Sequence, residues 1–357
     1  MKKYNFNAGP SILPREVIEN TAKQILDFNG SGLSLMEISH RAKDFQPVVD
    51  ECVALFKELL DIPEGYSVIF LGGGASLQFM QIPANFLIKK AAFINSGTWA
   101  KKALKEAKLF GEVVEVASSA DANYSFYPKG FEDKVPADAD YLHVCTNNTI
   151  YGTEWNYVPD TKGAPLVVDM SSDILSRPVD VSKYGVIYAG AQKNMGIAGL
   201  GVVIIREDLV KPHPANIPVL SELDTMLEKD SMYNTPPCWA IYMLGLVVKW
   251  IDEQGGLEVM KEKNEKKAKL LYDYLDQSDF YKPHAKKDAR SNMNVTFTTP
   301  SKELDAEFVK ESIAAGMTNL KGHRSVGGIR ASIYNAMPYE GVEYLVNFMK
   351  EFEEKHK

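Results

Sequence analysis

Lys193 has the sequence surroundings most suggestive of chemistry. It lies in the run Ala189-Gly-Ala-Gln-Lys-Asn-Met-Gly196, and no other charged residue occurs between Lys183 and Arg206. An ammonium group among uncharged neighbours loses hydration, which lowers its pKa and frees the amine as a nucleophile. A lysine that forms a Schiff base with a carbonyl cofactor needs this property.

A carboxylate precedes this lysine at the end of an apolar run, Leu166-Val-Val-Asp169. There it is suited to face a ring nitrogen of a cofactor. Because pyridoxal phosphate needs both a Schiff-base lysine and an acidic partner for its pyridinium nitrogen, the pair Asp169 and Lys193 suggests this cofactor. A buried structural lysine and an ordinary strand-end aspartate are the alternative, since neither residue type is rare.

Three glycines follow another short apolar run, in Phe70-Leu-Gly-Gly-Gly-Ala-Ser76. A strand that passes through glycines into a helix exposes backbone N–H groups toward a phosphate, here at Ala75 and Ser76. A plain strand-to-helix turn is the alternative interpretation. The motif is not a P-loop, because no Gly-Lys-Ser/Thr follows. A dinucleotide site is disfavoured, because Gly199-Leu-Gly201 enters a strand rather than leaving one.

Two further residues follow predicted strand ends. Trp99, in Asn95-Ser-Gly-Thr-Trp99, would be able to stack on a flat heterocycle, although such a tryptophan is more often part of a core. Thr149, in Cys145-Thr-Asn-Asn-Thr149, belongs to a polar group suited to hydrogen bonds with a ring hydroxyl. Both positions agree with the rule that ligands of open α/β sheets bind at the carboxyl ends of strands.

Two His-Arg dipeptides, His40-Arg41 and His323-Arg324, occur far apart in the chain, and Arg330 follows the second. Arginine binds a carboxylate or a phosphate through two hydrogen bonds, and a neighbouring histidine adds a third donor. Each arginine alone would be taken as surface charge. Together they predict a substrate that carries at least two anionic groups.

Composition excludes several classes of protein. The chain has 357 residues and a formal net charge of −7, which argues against a general nucleic-acid binder. Three widely spaced cysteines, Cys52, Cys145 and Cys238, form no CxxC pair, which fits free thiols in a reducing cytoplasm. No apolar segment follows the first lysines as in a signal peptide, and the apolar run 239–248 is too short to span a bilayer. We therefore expect a cytoplasmic protein without a membrane or nucleic-acid partner.

The hydrophobic pattern predicts an α/β fold, with a large domain over residues 16–260 and a small C-terminal α+β domain over residues 261–357. We expect residues 1–15 to pack on the small domain. Short apolar strands that alternate with helices indicate a mostly parallel sheet covered on both faces. The predicted helices are residues 16–28, 45–60, 77–90, 257–276, 303–315 and 341–356. The predicted strands are residues 67–71, 91–95, 112–116, 141–145, 166–169, 186–189, 201–205 and 292–298. The Lys/Glu-rich helix 257–276 is interpreted as a solvated surface.

With these residues in place, the chain resembles the phosphoserine aminotransferase family, within the class-V, fold-type I aminotransferases. The resemblance covers essentially the whole length, and its motifs are specific as an ordered set. They are Phe6-Asn-Ala-Gly-Pro10, Ser39-His-Arg41, Gly72-Gly-Gly-Ala-Ser-Leu-Gln-Phe79, Gly97-Thr-Trp99, Asn147-Asn-Thr-Ile-Tyr-Gly-Thr-Glu154, Asp169-Met-Ser-Ser172, Tyr188-Ala-Gly-Ala-Gln-Lys-Asn194, Tyr233-Asn-Thr-Pro-Pro237, Lys321-Gly-His-Arg324 and Gly327-Gly-Ile-Arg330.

The resemblance implies roles for the residues of these motifs. Lys193 would be the Schiff-base lysine and Asp169 the partner of the pyridinium nitrogen of pyridoxal 5'-phosphate. The remaining cofactor-binding residues would be Trp99 on the ring, Thr149 near the 3′ oxygen, and Ala75, Ser76 and Gln192 at the phosphate, with Asn234 and Thr235 reaching the phosphate from the other subunit of a homodimer. The substrate-binding residues would be Arg330 for the α-carboxylate and His40, Arg41, His323 and Arg324 for the distal anion. Some family members carry arginine at the position of Ser76, so we assign phosphate binding there to the backbone. No metal is predicted.

The activity implied by the resemblance is a ping-pong transamination in L-serine biosynthesis. O-phospho-L-serine and 2-oxoglutarate would be interconverted with 3-phosphohydroxypyruvate and L-glutamate. Another class-V enzyme is the nearest alternative: an alanine–glyoxylate aminotransferase, or a desulfurase-type lyase, which would need a reactive cysteine. A non-catalytic binding or regulatory protein of the same fold is a further alternative, which the pair Asp169 and Lys193 disfavours.

Overall fold

The computed structural model describes residues 3–210 and 217–357. The strands in this part of the chain are β1 Tyr4–Asn5, β2 Tyr66–Gly72, β3 Lys90–Asn95, β4 Glu112–Ser118, β5 Tyr141–Cys145, β6 Asn147–Asn148, β7 Thr153–Glu154, β8 Leu166–Asp169, β9 Val186–Gly190, β10 Leu200–Arg206, β11 Lys282–Pro283, β12 Asn294–Thr298, β13 Met317–Thr318 and β14 Ile329–Ser332. The helices are α1 Arg15–Leu26, α2 Gln46–Leu59, α3 Gly74–Phe86, α4 Thr98–Ala107, α5 Leu223–Glu228, α6 Cys238–Glu253, α7 Gly256–Gln277, α8 Lys302–Ala314 and α9 Tyr339–His356.

A seven-stranded sheet forms the centre of the molecule, in the order β2-β10-β9-β8-β5-β3-β4. All neighbouring strands pair in parallel except β10, which is antiparallel to both β2 and β9. The strands are apolar on both faces because helices cover both. In β2, for example, Val68 and Phe70 pack into one hydrophobic cluster, whereas Ile69 and Leu71 pack into another. The prediction of an α/β fold with a mostly parallel sheet is confirmed.

The predicted elements of this region match the structure in kind and differ at their ends. The helix predicted at 77–90 begins at Gly74 and ends at Phe86. Its early start has a backbone cause: Gly73 and Gly74 have φ angles of +91° and +63°, a region that glycine enters without steric cost. Helix α4 was not predicted, although it begins the segment that carries Trp99.

The C-terminal part contains a second sheet, β11-β12-β14, and a separate hydrophobic cluster formed with α7, α8 and α9. The N-terminal strand β1 pairs in parallel with β13, and Phe6 is fully buried in this cluster. The division of the chain into two domains at residue 260 stays a prediction. The assignment of residues 1–15 to the small domain stays a prediction as well.

The helix predicted at 257–276 is α7, but its interpretation as a solvated surface was wrong in part. Lys267 and Asn264 are buried, with 2% and 1% of their surface exposed. The Lys267 ammonium donates to the backbone carbonyls of Ile333, Tyr334 and Met337, at 3.0, 2.7 and 3.1 Å. This lysine therefore anchors the turn after β14 to the helix.

No helix among the described residues has the length and apolar composition needed to cross a membrane. The three cysteines are free: Cys52 and Cys145 are buried, and Cys238 is half-buried.

Candidate active site

Five strands of the large sheet end at the same edge, and the predicted cofactor residues gather there. Because β2, β3, β5, β8 and β9 run in the same direction, the segments that follow them lie side by side. The residues carried by these segments are Ala75, Ser76, Trp99, Thr149, Asp169, Gln192 and Lys193.

Lys193 follows β9 and is buried, with 9% of its surface exposed. Its Nζ atom donates a hydrogen bond of 2.6 Å to the hydroxyl of Thr149. Burial lowers the pKa of Lys193, and the nearby charge of Arg330 lowers it further, while Asp169 opposes the shift. The structure thus gives Lys193 the desolvated amine that the sequence predicts.

The backbone on either side of Lys193 is held by the N-terminal segment. The Ser11 hydroxyl donates to the carbonyl of Lys193, and the Ser11 N–H donates to the carbonyl of Gln192 at 2.9 Å. The amide of Asn194 fixes the other side, since it donates to the carbonyl of Ile174 at 3.2 Å. These hydrogen bonds fix the backbone of Lys193, so its side chain can bind a ligand without movement of the loop.

Asp169 ends β8 and is 6% exposed. Its Oδ1 atom accepts two hydrogen bonds from Ser171, one from the N–H at 2.9 Å and one from the hydroxyl at 2.6 Å. Both bonds fall on the same oxygen, so Oδ2 is the atom available to a donor on a ligand. Ser171 was not predicted; the spacing Asp-x-Ser, which permits a local side-chain turn, is the sequence signal that would have found it.

A second buried carboxylate lies behind Asp169 and was also missed. The Thr146 hydroxyl lies 2.6 Å from Asp173 Oδ1 and 3.2 Å from the carbonyl of Asp169. Arg177 lies 3.4 Å from the other oxygen of Asp173. Burial raises the pKa of Asp173, and Arg177 opposes the shift without cancelling it.

Trp99 lies in the first turn of α4, above Lys193. The Lys193 Nζ atom is 6.0 Å from the centroid of the indole ring. The indole Nε1 is buried and has no hydrogen-bond partner within residues 3–210 and 217–357. This donor, together with the ring face near Lys193, is available to a flat polar ligand.

The glycine turn after β2 lies against the loop that carries Lys193. A Cβ atom on Gly74 would lie 4.0 Å from Gln192 Oε1, and a Cβ on Gly201 would lie 3.2 Å from the carbonyl of Gly74. No side chain caps the N-terminus of α3, so its first N–H groups stay open to a ligand. Ser76 is exposed in this first turn. Gln192 and the turn therefore lie side by side, and the N–H groups at the start of α3 are the donors that an anion would meet there.

Arg330, on β14, reaches the same place from the second sheet. Its Nη1 donates to the carbonyl of Thr149 at 3.3 Å, so Thr149 contacts both Lys193 and Arg330. Burial lowers the pKa of this guanidinium, and its Nε has no partner in the described chain. A carboxylate bound by Arg330 would thus lie close to the amine of Lys193.

His323 and Arg324 lie on the loop 321–328 that precedes β14. His323 is half-buried, and its pKa is lowered by burial first and then by the charges of Arg330, Arg324 and Lys102. Arg324 is exposed and lines a cavity of about 530 Å³ together with Lys302, Asp305 and Lys321. The structure therefore brings His323 near Arg330, whereas Arg324 borders a cavity beside α8.

Four predicted residues are not joined to this site within one chain. His40 and Arg41 lie between α1 and α2, on a turn that packs through Ile38 and Phe45 into the hydrophobic cluster that contains Val68 and Phe70 of β2. Asn234 and Thr235 are exposed and line a cavity of about 220 Å³ beside Gly72. No hydrogen bond or ion pair of the described residues links these four side chains to Lys193 or Asp169.

Pyridoxal phosphate fits the residues that are present. A buried amine at Lys193 matches its aldehyde, and Oδ2 of Asp169 matches its ring nitrogen. The buried Gln192 Oε1 atom and the Trp99 N–H both lack partners in the described residues, and the uncapped turn before α3 suits a phosphate. Each feature would be unsatisfied or unexplained in a purely structural role.

Comparison with known proteins shows the family of this chain. The sequence model of the class-V aminotransferases matches residues 3–345. A phosphoserine aminotransferase of Bacteroides thetaiotaomicron is 58% identical over 358 residues, which cover 100% of both chains. The solved phosphoserine aminotransferase of Bacillus circulans subsp. alkalophilus is 49% identical with a TM-score of 0.97, over 100% of this chain and 99% of that one. A solved PLP-bound phosphoserine aminotransferase of Trichomonas vaginalis is 40% identical with a TM-score of 0.93, over 98% of this chain and 100% of that one.

Proposed function

We propose that this chain, which belongs to the class-V aminotransferase family and is a pyridoxal-phosphate-dependent transaminase, interconverts O-phospho-L-serine and 3-phosphohydroxypyruvate. L-Glutamate and 2-oxoglutarate are the second amino donor and acceptor of the proposed cycle, which has a ping-pong order and belongs to L-serine biosynthesis. The observation that carries the proposal is the convergence of Lys193 and Arg330 on Thr149. It supports a site in which an amine and a group able to bind a carboxylate meet at one residue, as an α-amino acid requires.

Each residue of the site has a proposed part in binding the cofactor. Lys193 holds it covalently, Asp169 keeps a proton on its ring nitrogen, and Trp99 covers one face of the ring and excludes water. The remaining contacts are proposed for Thr149 near the ring oxygen and for Gln192, Ala75 and Ser76 at the phosphate. When bound, pyridoxal phosphate supplies an aldehyde that condenses with amines and a cationic ring that accepts the electron pair left at the substrate Cα.

The chain's own groups then act on the substrate. Arg330 binds its α-carboxylate, and the amine of Lys193, once released, takes the proton from Cα as a general base. A lowered pKa suits this part, because the amine must be neutral to accept a proton near neutral pH. Thr149 orients the amine through the hydrogen bond of 2.6 Å.

We also propose that the active unit is a homodimer with shared sites. Asn234 and Thr235 are exposed in the single chain, and so is Arg41 of the His40-Arg41 pair. Large apolar side chains near this pair are exposed as well: Leu26 by 83%, Met36 by 68% and Leu33 by 49%. A partner seated on this surface would bury them and bring His40 and Arg41 to the distal anion of the substrate.

The desulfurase alternative lacks its nucleophile. Burial raises the pKa of the Cys238 thiol, and its Sγ lies 3.6 Å from the carbonyl of Pro236. A thiol in this state holds its proton and is a poor nucleophile.

The three free cysteines also support the proposed cytoplasmic location.

Turnover with 3-phosphohydroxypyruvate against hydroxypyruvate, with glutamate as the amino donor, tests the proposed substrate. Because each charge-assisted hydrogen bond to the phosphate is worth roughly 1.5–3 kcal/mol, we expect kcat/KM to favour the phosphorylated acceptor by at least about a hundredfold. Equal values for the two acceptors would contradict a phosphoserine transaminase while leaving transamination itself intact.

A further inference from the structure

Lys102 lies at the outer side of the site, although nothing in the motifs drew attention to it. It follows Trp99 by one turn in α4, and its Nζ atom is 4.5 Å from the centroid of the indole ring. Residues three apart on a helix share a face, so Lys102 and Trp99 project from the same side of α4. The neighbouring Lys101 is also exposed and makes no cation–π contact among the described residues.

The loop 321–328 meets Lys102 at this point. Val326 of the loop and Trp99 both pack against a small hydrophobic cluster that contains Ile150 and Tyr151. His323, on the same loop, is close enough for the charge of Lys102 to lower its pKa, beside the larger effects of burial, Arg330 and Arg324. We call Lys102, His323, Arg324 and Arg330 the cationic rim.

The cationic rim has no anionic partner in the described part of its chain. Within residues 3–210 and 217–357, no carboxylate lies within ion-pair distance of its four members. Other half-buried arginines are paired: Arg290 with Asp276 at 2.6 Å, and Arg206 with Asp208 at 2.6 Å. Like charges brought together without counter-charges raise the local positive potential, which favours an anionic ligand.

We propose that Lys102 is a specificity-determining residue that binds the distal phosphate of the substrate together with His323 and Arg324. This inference rests on the proposed function, which assigns Arg330 to the α-carboxylate beside Lys193. Arg330 contacts Thr149 in the interior and Lys102 lies over Trp99 at the exposed side, so the rim offers cations at both the inner and the outer side of the site.

A lysine suits the outer position on physical grounds. It is exposed, so an incoming ligand can reach its ammonium group from solvent. Its flexible stem can move the ammonium from the face of the indole to an incoming phosphate, where it acts as a point charge. Glutamate, whose distal carboxylate has half the charge of a phosphate dianion, would gain less from it.

The test is the substitution Lys102→Met in the holoenzyme, with Lys101→Met as the matched control. We expect Lys102→Met to lower kcat/KM for 3-phosphohydroxypyruvate about fivefold, mainly through KM, which is the upper range for one exposed charge pair. Hydroxypyruvate, which lacks the phosphate, should be used with unchanged kcat/KM. Lys101→Met should match the unsubstituted enzyme, and Lys102→Arg should restore most of the loss.

Two results would overturn the proposal. If Lys102→Met and Lys101→Met affect the phosphorylated substrate equally, Lys102 makes no specific contact. If Lys102→Met affects both acceptors equally, the residue acts by positioning Trp99 and not by binding phosphate. Failure of the proposed function would look different, because the unsubstituted enzyme would then show no preference for the phosphorylated acceptor.

Discussion

Two lysines are buried in the described part of this protein, and they have different roles in its two regions. Lys193 follows a strand of the large sheet, and Lys267 lies in α7 beside the second sheet. Burial lowers the pKa of both, that of Lys267 to about 7. Desolvation alone therefore does not distinguish a reactive lysine from a structural one.

The difference lies in the hydrogen bonds that each ammonium makes. Lys267 donates to three backbone carbonyls, which matches the three donors of an ammonium group. Lys193 donates to one side-chain hydroxyl, that of Thr149, and otherwise faces an indole ring and Asp169. The reactive lysine is therefore the buried one whose ammonium has N–H donors without a protein acceptor and lies next to groups that suit a cofactor.

Substitution of Lys193 is expected to have the largest effect. Lys193→Ala removes both the covalent anchor and the general base, so kcat for transamination should fall at least about 10⁴-fold while the fold is kept. Steady-state kinetics with circular dichroism as the check on folding would measure it. Lys267→Met should retain kcat within about threefold, and a loss in Lys267→Met as large as that in Lys193→Ala would erase the distinction between the two lysines.

Substitution of the carboxylates beside Lys193 should separate a cofactor partner from a structural neighbour. Asp169→Asn keeps the shape and removes the charge that holds a ring proton, so kcat should fall about 10²–10³-fold. Asp173 lies behind Asp169 and contacts it only through Thr146, so Asp173→Asn should lower kcat less than about tenfold. Single-turnover rates with glutamate would report both, and similar losses in the two variants would reject the assignment of Asp169.

Lys267 should matter for stability rather than for rate. Lys267→Met leaves three buried carbonyls without a donor, so the free energy of unfolding should fall by about 2–4 kcal/mol. Urea denaturation of the holoenzyme would measure the loss. Lys261→Met, an exposed lysine of the same helix, is the control and should change stability by less than about 0.5 kcal/mol. If both variants are equally stable, the three hydrogen bonds contribute nothing.

The smallest expected effect is a pH dependence from Asp173. Its raised pKa means that the folded state keeps a proton which the unfolded chain has lost above about pH 4. The free energy of unfolding should therefore decrease as pH rises from about 4 through the native pKa of Asp173, and Asp173→Asn should lack this component. Denaturation of both proteins at several pH values gives the free energy of unfolding of the unsubstituted protein minus that of Asp173→Asn. We expect this quantity to fall as pH rises. If it is constant or increases with pH, the Asp173 carboxyl is ionised in the native state.

The sequence carried more information about the Lys193 region than about the Lys267 region. Continuous apolar strands and a glycine turn have strong local signals, and parallel strands bring their carboxyl ends together, so Asp169, Trp99 and Lys193 could be placed at one edge in advance. The absence of other charged residues between Lys183 and Arg206 in the sequence also indicated that Lys193 is buried. The pattern failed for Lys267, because a lysine within a Lys/Glu run has the same local sequence whether it faces solvent or a ring of carbonyls.

Other features of the site depend on contacts between distant segments. The approach of Lys102 to the loop 321–328 joins α4 to the second sheet, and no local pattern encodes it. The network of Thr146 and Asp173 requires two loops of the sheet edge to meet. The proposed part of His40 and Arg41 depends on a second subunit, since no hydrogen bond or ion pair of the described residues joins their side chains to Lys193 or Asp169.

Reduction of the holoenzyme with borohydride, followed by mass analysis of its peptides, tests most directly the claim that Lys193 and not Lys267 is the reactive lysine. Reduction fixes the bond between the cofactor and its lysine. We expect a pyridoxyl label on the peptide that contains Lys193 and an unmodified peptide around Lys267. A label on Lys267, or a Lys193 peptide that stays unmodified while the cofactor is bound elsewhere, would contradict it.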